Sequence, residues 1–394
     1  MDFVSFLNYA IAFFSLFVAN VFILLYLSHR KDYLKTPQQT DWKPFISIVL
    51  PAYNESAYLE ESIKTILAVD YPSDKLEIII VDDGSTDNTY EIAKKQESNI
   101  VHAYRKKNGG KGSALNFGIQ KAKGELIATM DADSYLTKDT IHELLPFFND
   151  PKVMAVTPAV KIKTDGSILK ELQRVEYLMI LFSRKLLSFI DSVPVTPGPF
   201  SIFRAKVFDE VGLFDEHNLV EDQEIALRIQ SHNYKIKSSM TADVFTEPPD
   251  NIPDLLRQRV RWQRGGVRNF WKYKFMIKPE YGDFGMYFIP LNFAGLTAMF
   301  ILIALMAYSI ITTPYYVQYV WTELFGMSVG LFTFVGAFVI ISSIIFTYLS
   351  VKSFRSEKIG LHYMLAFIVF YWYLMISYNL LFVFKEIKGE GYSW

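Results

Sequence analysis

Long charge-free apolar runs stand at both ends of a chain whose middle is charged. From Phe3 to Ser28 there is no charged residue. That length crosses a bilayer as one helix. A signal peptide would have a shorter apolar core and a basic start, whereas this chain opens Met1-Asp2. The run therefore reads as an uncleaved anchor. His29-Arg30-Lys31 follow at once, so the positive-inside rule expects the middle of the chain in the cytosol. Phe284–Thr322 is charge-free again, broken by Pro290 and Pro314, and Leu324–Val351 and Ile359–Phe384 follow. These read as an interfacial entry near Phe284–Pro290, a helix to about Ile311, an outer loop and two more spans. Lys352, Arg355 and Lys358 mark an inward loop. The expectation is a multi-pass protein of the cell membrane with four spans in a lipid bilayer. That count leaves Lys385 and Lys388 outside, against the charge rule.

Composition agrees with a mixed chain. At 51% hydrophobic residues it is too apolar for an ordinary soluble domain, and at 21% charged too polar for a bare bundle. A net charge of -1 gives no reason to expect nucleic acid. The absence of cysteine excludes disulfides and thiolate metal sites. The expected division is an anchor over 1–30, an α/β domain over 40–250, interfacial amphipathic helices over 251–283, transmembrane helices over 284–384 and a tail over 385–394.

Within 40–250, short β-branched runs alternate with helical spacing. Ile46–Leu50, Glu77–Val81, Ile100–Ala103 and Leu126–Met130 read as strands, and Ala57–Val69 and Ala114–Ala122 as helices. Thr86 or Asp87 can cap another helix through Ile92. This alternation implies a mostly parallel sheet. Tyr53, Asn54 and Glu55 follow the first strand; Asp82 and Asp83 end the second; Arg105 follows the third; Asp131 and Asp133 follow the fourth. All lie beyond carboxyl ends of strands, where open α/β sheets bind ligands. Asn108-Gly109-Gly110-Lys111-Gly112-Ser113 resembles a phosphate loop, but Arg105 and Gly112 break a Walker A pattern and Leu115 breaks a dinucleotide fingerprint. It reads as a basic, glycine-permissive loop near phosphates. Ile168–Ile190 is apolar on one face and fits either an interface helix or a core helix.

Pro51-Ala52-Tyr53-Asn54-Glu55, Val81-Asp82-Asp83-Gly84-Ser85-Thr86-Asp87, Asp131-Ala132-Asp133, Glu221-Asp222 and Gln258-Arg259-Val260-Arg261-Trp262 together resemble the family 2 inverting glycosyltransferases of GT-A fold. The last motif resembles the membrane-integrated branch: cellulose, chitin, hyaluronan and poly-N-acetylglucosamine synthases and ceramide glucosyltransferases. The resemblance covers about residues 45–265. It implies a GT-A nucleotide-diphospho-sugar transferase domain flanked by transmembrane helices.

By that resemblance Tyr53 and Glu55 hold the base and ribose of a UDP-sugar, and a carboxylate of Asp82 or Asp83 accepts the uracil imide N–H. Lys111 and Asp131 lie against the nucleotide-sugar. Asp133 ligates Mg2+ or Mn2+, hard cations that suit carboxylate oxygen. Asp222 is the general base; its choice over Glu221, in an acidic first helical turn, rests on the resemblance alone. Gln258, Arg261 and Trp262 share a helix face by their spacing, and the resemblance assigns them to the diphosphate and the acceptor sugar. A basic membrane-surface helix accounts for the same stretch, since further arginines interleave with its apolar residues. Gly198, in Pro197–Arg204, lines the acceptor path; Pro199 departs from the small polar residue relatives often carry. Glu247 is a lesser candidate.

The implied activity is elongation of a β-linked polysaccharide from UDP-GlcNAc or UDP-glucose. Transfer of one sugar to a lipid acceptor is the alternative. A transporter would place more polar residues within its spans. The motifs encode neither the sugar nor the linkage. An accessory membrane subunit completing an exit path is compatible with the sequence and unsupported by it.

Overall fold

The computed structural model describes residues 3–312, 331–354 and 357–389. Its centre is an eight-stranded sheet of order β3-β2-β1-β4-β7-β6-β8-β5. The strands are β1 (Ile46–Ala52), β2 (Leu76–Asp82), β3 (Val101–Arg105), β4 (Leu126–Thr129), β5 (Ser134–Leu136), β6 (Val153–Ile162), β7 (Ser201–Arg204) and β8 (Lys235–Thr246). The first four pair in parallel, as the alternation predicts. The sheet then turns mixed: β7 runs antiparallel to β4 and β6, and β5 antiparallel to β8. The motifs of the parallel half are contiguous in sequence, whereas β5–β8 pair at long range, which local periodicity does not report.

Every residue of β1 and β2 is buried, because helices cover both faces. Such strands read as continuous apolar runs. Ile48 and Leu50 pack in the layer holding Leu59 and Ile63 of α2 (Leu59–Leu67); Val49 points to the layer of Ala114 and Leu115 in α4 (Lys111–Ile119). Each fully buried Ile or Leu contributes about 1.5–3 kcal/mol relative to exposure. Between them, α3 (Thr89–Lys95) begins where the Asp87 carboxylate accepts the Thr89 N–H at 3.0 Å. The β1–β2 register sets Ala52 beside Asp82, so the residues that follow these strands emerge side by side.

After α5 (Thr140–Leu144), the long helix α6 (Ile168–Phe189) joins this domain to the apolar helices. Leu178, Leu181, Phe182 and Leu186 pack with Ala159 and Val160 of β6. Phe182 also meets Tyr26 of α1 (Phe3–His29) and Phe346 of α11 (Leu331–Lys352). Its apolar stripe therefore serves core and interface together. The short α7 (Lys206–Val211) and then α8 (Glu221–Ser231) lie on the sheet, and α9 (Ile252–Lys272) packs between α8 and the apolar helices.

The helices α10 (Ile289–Thr312) and α12 (Leu361–Lys388) follow. Among the described residues, Phe6–His29, Phe284–Leu305 and Leu361–Lys388 are long and apolar enough to cross a bilayer, and Ala337–Lys352 is a shorter apolar helix. Pro290 does not break the Phe284–Leu305 run: a π-helical turn over Phe284–Phe288 leads directly into α10, the kind of local adjustment that accommodates a missing N–H. The outer loop expected after Ile311 lies outside the described residues. At the far end, Glu386 of α12 pairs with Arg264 and Arg268 of α9 at 2.6 and 2.9 Å. Glu357, just before α12, pairs with Arg174 of α6 at 2.5 Å. Both ends of α12 are thus paired by charge with helices that pack against the sheet domain. Lys385 and Lys388, expected on the opposite side, adjoin that ion pair.

Candidate active site

The carboxyl ends of β1, β2 and β4 open into a cleft of about 220 Å³, lined by Tyr53, Glu55, Asp83, Lys111, Asp131 and Asp133 among others. Tyr53 is exposed at its rim. Asp83 is fixed from three sides: Lys106 Nζ donates at 2.6 Å, and the Gly109 and Gly110 amides at 3.1 and 2.7 Å. Asp82 is fully buried; its Oδ1 accepts the Ser85 N–H at 3.2 Å, and Arg105 Nε lies 3.1 Å from Oδ2. The glycine loop therefore wraps a strand-end carboxylate and delivers Lys111, the first residue of α4, to the floor of the cleft.

Lys111 Nζ lies 2.5 Å from Asp131 Oδ1 and 3.5 Å from Glu221 Oε1. Burial opposes its charge, but Asp131, Glu221 and Asp222 outweigh burial and raise it well above an ordinary lysine. Asp131-Ala132-Asp133 forms a turn: the Ser134 N–H returns to the Asp131 carbonyl at 3.1 Å. Both carboxylates face the cleft. Asp133 receives Ser134 Oγ at 3.2 Å and Thr246 Oγ1 at 3.4 Å. Burial and then Asp131 push its carboxyl up. Glu55 is pushed up to about 8 by burial, then by Asp133 and Asp131. This crowding of hard oxygen donors fits a divalent cation. Among the described residues no three acidic, His or Cys groups form a complete cage, so the remaining ligands would be diphosphate oxygens and water.

A second cavity of about 280 Å³ adjoins the first and shares Lys111, Asp131 and Asp133 with it. Asp222, Gln258, Arg261, Trp262 and Gly198 line this one. Asp222 stands in the first turn of α8, its Oδ1 accepting the Gln223 N–H at 2.8 Å. Burial and Glu221 push it up to about 6, against Lys111 and Arg261. Glu224, by contrast, is spent on Arg228, Lys272 and Tyr273. Arg261 donates to the Leu219 carbonyl at 2.9 Å. Gln258 accepts from Arg259, whose guanidinium lies 4.2 Å from the Trp262 ring and pairs with Glu176 at 2.5 Å. The indole is thus clamped from behind by an ion pair between α6 and α9.

Two glycines set these walls. A Cβ on Gly198 would come within 2.6 Å of both Asp131 Oδ2 and Lys111 Nζ. A Cβ on Gly265 would come within 2.0 Å of Val220 Cγ2, so only glycine lets α9 approach the segment that carries Asp222. The expected site residues all fall on or beside the two cavities except Asp82, which is enclosed behind Asp83. Sequence patterning does not single out Arg184 and gives Glu247 little weight, yet both line the second cavity. One signal is present: Arg184 interrupts the apolar stripe of α6.

A family model for glycosyl transferase family 2 matches residues 47–212. A poly-β-1,6-N-acetyl-D-glucosamine synthase of Staphylococcus epidermidis is 28% identical over 365 residues, covering 88% of this chain and 85% of the relative. The synthase of that description from Staphylococcus aureus (strain COL) is 31% identical over 273 residues, covering 68% and 66%. Among solved structures, a mannosyltransferase from Pyrobaculum calidifontis in complex with GDP-Man and Mn2+ aligns with a TM-score of 0.62 at 22% identity, covering 86% of this chain and 98% of that one. The sheet order, the carboxylates at its strand ends and these matches lead to one assignment: the chain belongs to glycosyl transferase family 2 and has the GT-A fold.

Proposed function

We propose that this chain elongates a β-linked polysaccharide of N-acetylglucosamine from UDP-N-acetylglucosamine at the cytosolic face of the cell membrane. The observation that carries the reading is that Lys111, Asp131 and Asp133 belong to both cavities, so a nucleotide cleft and an Asp222–Trp262 chamber meet at one point. Similarity to the staphylococcal synthases supports the choice of sugar and polymer. His29-Arg30-Lys31 at the end of α1 and Lys352 at the end of α11 support the cytosolic placement.

In this mechanism Tyr53, Glu55 and Asp83 seat the nucleotide. Asp133, with Asp131 beside it, would hold Mg2+ or Mn2+, and the cation would offset charge on the departing diphosphate. Lys111 and Arg261 flank the same leaving group. Asp222 takes the proton of the acceptor hydroxyl as that oxygen bonds to the anomeric carbon. The anomeric C–O bond breaks, UDP leaves with its electron pair, and an α-linked donor yields a β-linkage. Trp262 offers a flat apolar floor to the acceptor sugar. The Asp222 carboxyl, raised by burial, is a stronger base than a free aspartate while remaining ionised at neutral pH.

One feature favours a second reading. The acceptor cavity meets, at Gln223 and Trp262, a larger cavity lined by apolar residues of α1, α10 and α12, which suits a lipid acceptor receiving one sugar. Purified protein with labelled UDP-N-acetylglucosamine, UDP-glucose or GDP-mannose separates the readings. The expected product is a long polymer from the first donor; a product that stays one sugar long on lipid rejects elongation.

A further inference from the structure

Arg184 is a buried cation whose donors are largely unmatched. It lies on α6, lines the acceptor cavity and is 7% exposed. Its Nε and Nη1 are buried without a hydrogen-bond partner among the described residues. The neighbouring basic residue is placed otherwise: Lys185 points to the Ser238 carbonyl at 3.0 Å. An unpaired guanidinium is costly to bury, and stable proteins pair theirs. Arg259, one helix away, shows the ordinary solution, with its fork on Glu176. Arg184 lines the chamber that also holds Asp222, with these two donors enclosed in its wall; burial pulls the guanidinium down from the usual arginine range, against the charge of Asp222.

We propose that Arg184 binds oxygen atoms of an uncharged glycan acceptor, beside the hydroxyl that Asp222 deprotonates. The assignment rests on the polysaccharide reading above. Two features select the ligand class. Guanidinium N–H groups lie in one plane and reach two oxygens at once, a pattern that vicinal hydroxyls or a hydroxyl and an amide carbonyl can meet. Carboxylates outnumber cations on the cavity walls, with Glu221, Asp222 and Glu247 on the acceptor side, so an anionic acceptor would be repelled where a neutral sugar is not. Trp262, on the same cavity, supplies the apolar face that sugar recognition also uses. Arg184 and Trp262 reach the chamber from different helices, α6 and α9, so together they fix both position and rotation of a sugar ring.

The test is direct binding of a short oligosaccharide of β-1,6-linked N-acetylglucosamine to the full chain in detergent or nanodiscs, with UDP binding and thermal melting measured in parallel. For Arg184→Met, oligosaccharide affinity should fall about tenfold to a hundredfold, the worth of hydrogen bonds from a charged donor. UDP affinity should stay within about twofold. The melting temperature should rise, because an unpaired buried charge is replaced by an apolar chain of similar length. Arg184→Lys keeps the charge but loses the fork and should fall between the two. Oligosaccharide affinity retained in the Met variant, or UDP affinity lost in equal proportion, overturns the assignment of Arg184. A wild-type protein that binds no oligosaccharide yet transfers one sugar to lipid overturns the polysaccharide reading, and this assignment with it.

Discussion

The two cavities differ in how their walls are held. In the cleft at the strand ends Asp83 is fixed before any ligand arrives, by Lys106 and two glycine amides, although Glu55 and Asp133 there are pushed up by burial and by neighbouring carboxylates. In the acceptor chamber Asp222 is held above its ordinary range, and two donors of Arg184 have no partner among the described residues. A preformed cleft binds one invariant group, a nucleotide, with little reorganisation. A chamber with unsatisfied groups gains its missing contacts only when the reacting partner enters, which favours the loaded complex over the empty one.

The sharpest way to break this contrast is Asp222→Asn. Transfer should fall by roughly 10²–10⁴, the range expected for losing a general base, while UDP affinity measured by calorimetry stays unchanged. Undiminished turnover removes Asp222 from the role. Asp133→Ala tests the other cavity: the Mg2+ or Mn2+ concentration giving half-maximal UDP binding should rise by about tenfold or more. An unchanged metal requirement removes Asp133 as a ligand.

The acidity of Asp222 offers a finer measurement. A base must be unprotonated, and this one is pushed up to about 6. Transfer should therefore fall about tenfold per unit below that pH. Glu221→Gln removes the like charge that helps to raise Asp222, so the acid limb should move to lower pH. A limb that stays in place, or moves upward, shows that Glu221 does not govern the base. The smallest effect belongs to the tie between α9 and α12. Glu386→Gln should cost ~1 kcal/mol, because Glu386 is still 32% exposed and its pairs are partly screened. A shift in melting temperature without change in UDP affinity is the expected result.

The parallel half of the sheet and its ligands were legible because each motif there is a strand end followed at once by its functional residue, as at Val81-Asp82-Asp83. Periodicity and polarity then report the same place. The antiparallel half was not, since β5 pairs with β8 across more than a hundred residues and local pattern carries no such information. Gln258, Arg261 and Trp262 could be grouped by helical spacing alone. Arg184 could not be joined to them, because α6 and α9 meet only in the folded chain. The turn at Asp131–Asp133 escaped for a related reason: two carboxylates two residues apart satisfy a strand and a tight turn equally well.

The contact at Gly265 carries a mechanical meaning. With Val220 seated where a side chain would otherwise stand, α9 and the start of α8 have no slack between them. On the proposed roles, a roll of α9 that moves Trp262 would press on Val220 and so shift Asp222 with it, like meshed gear teeth.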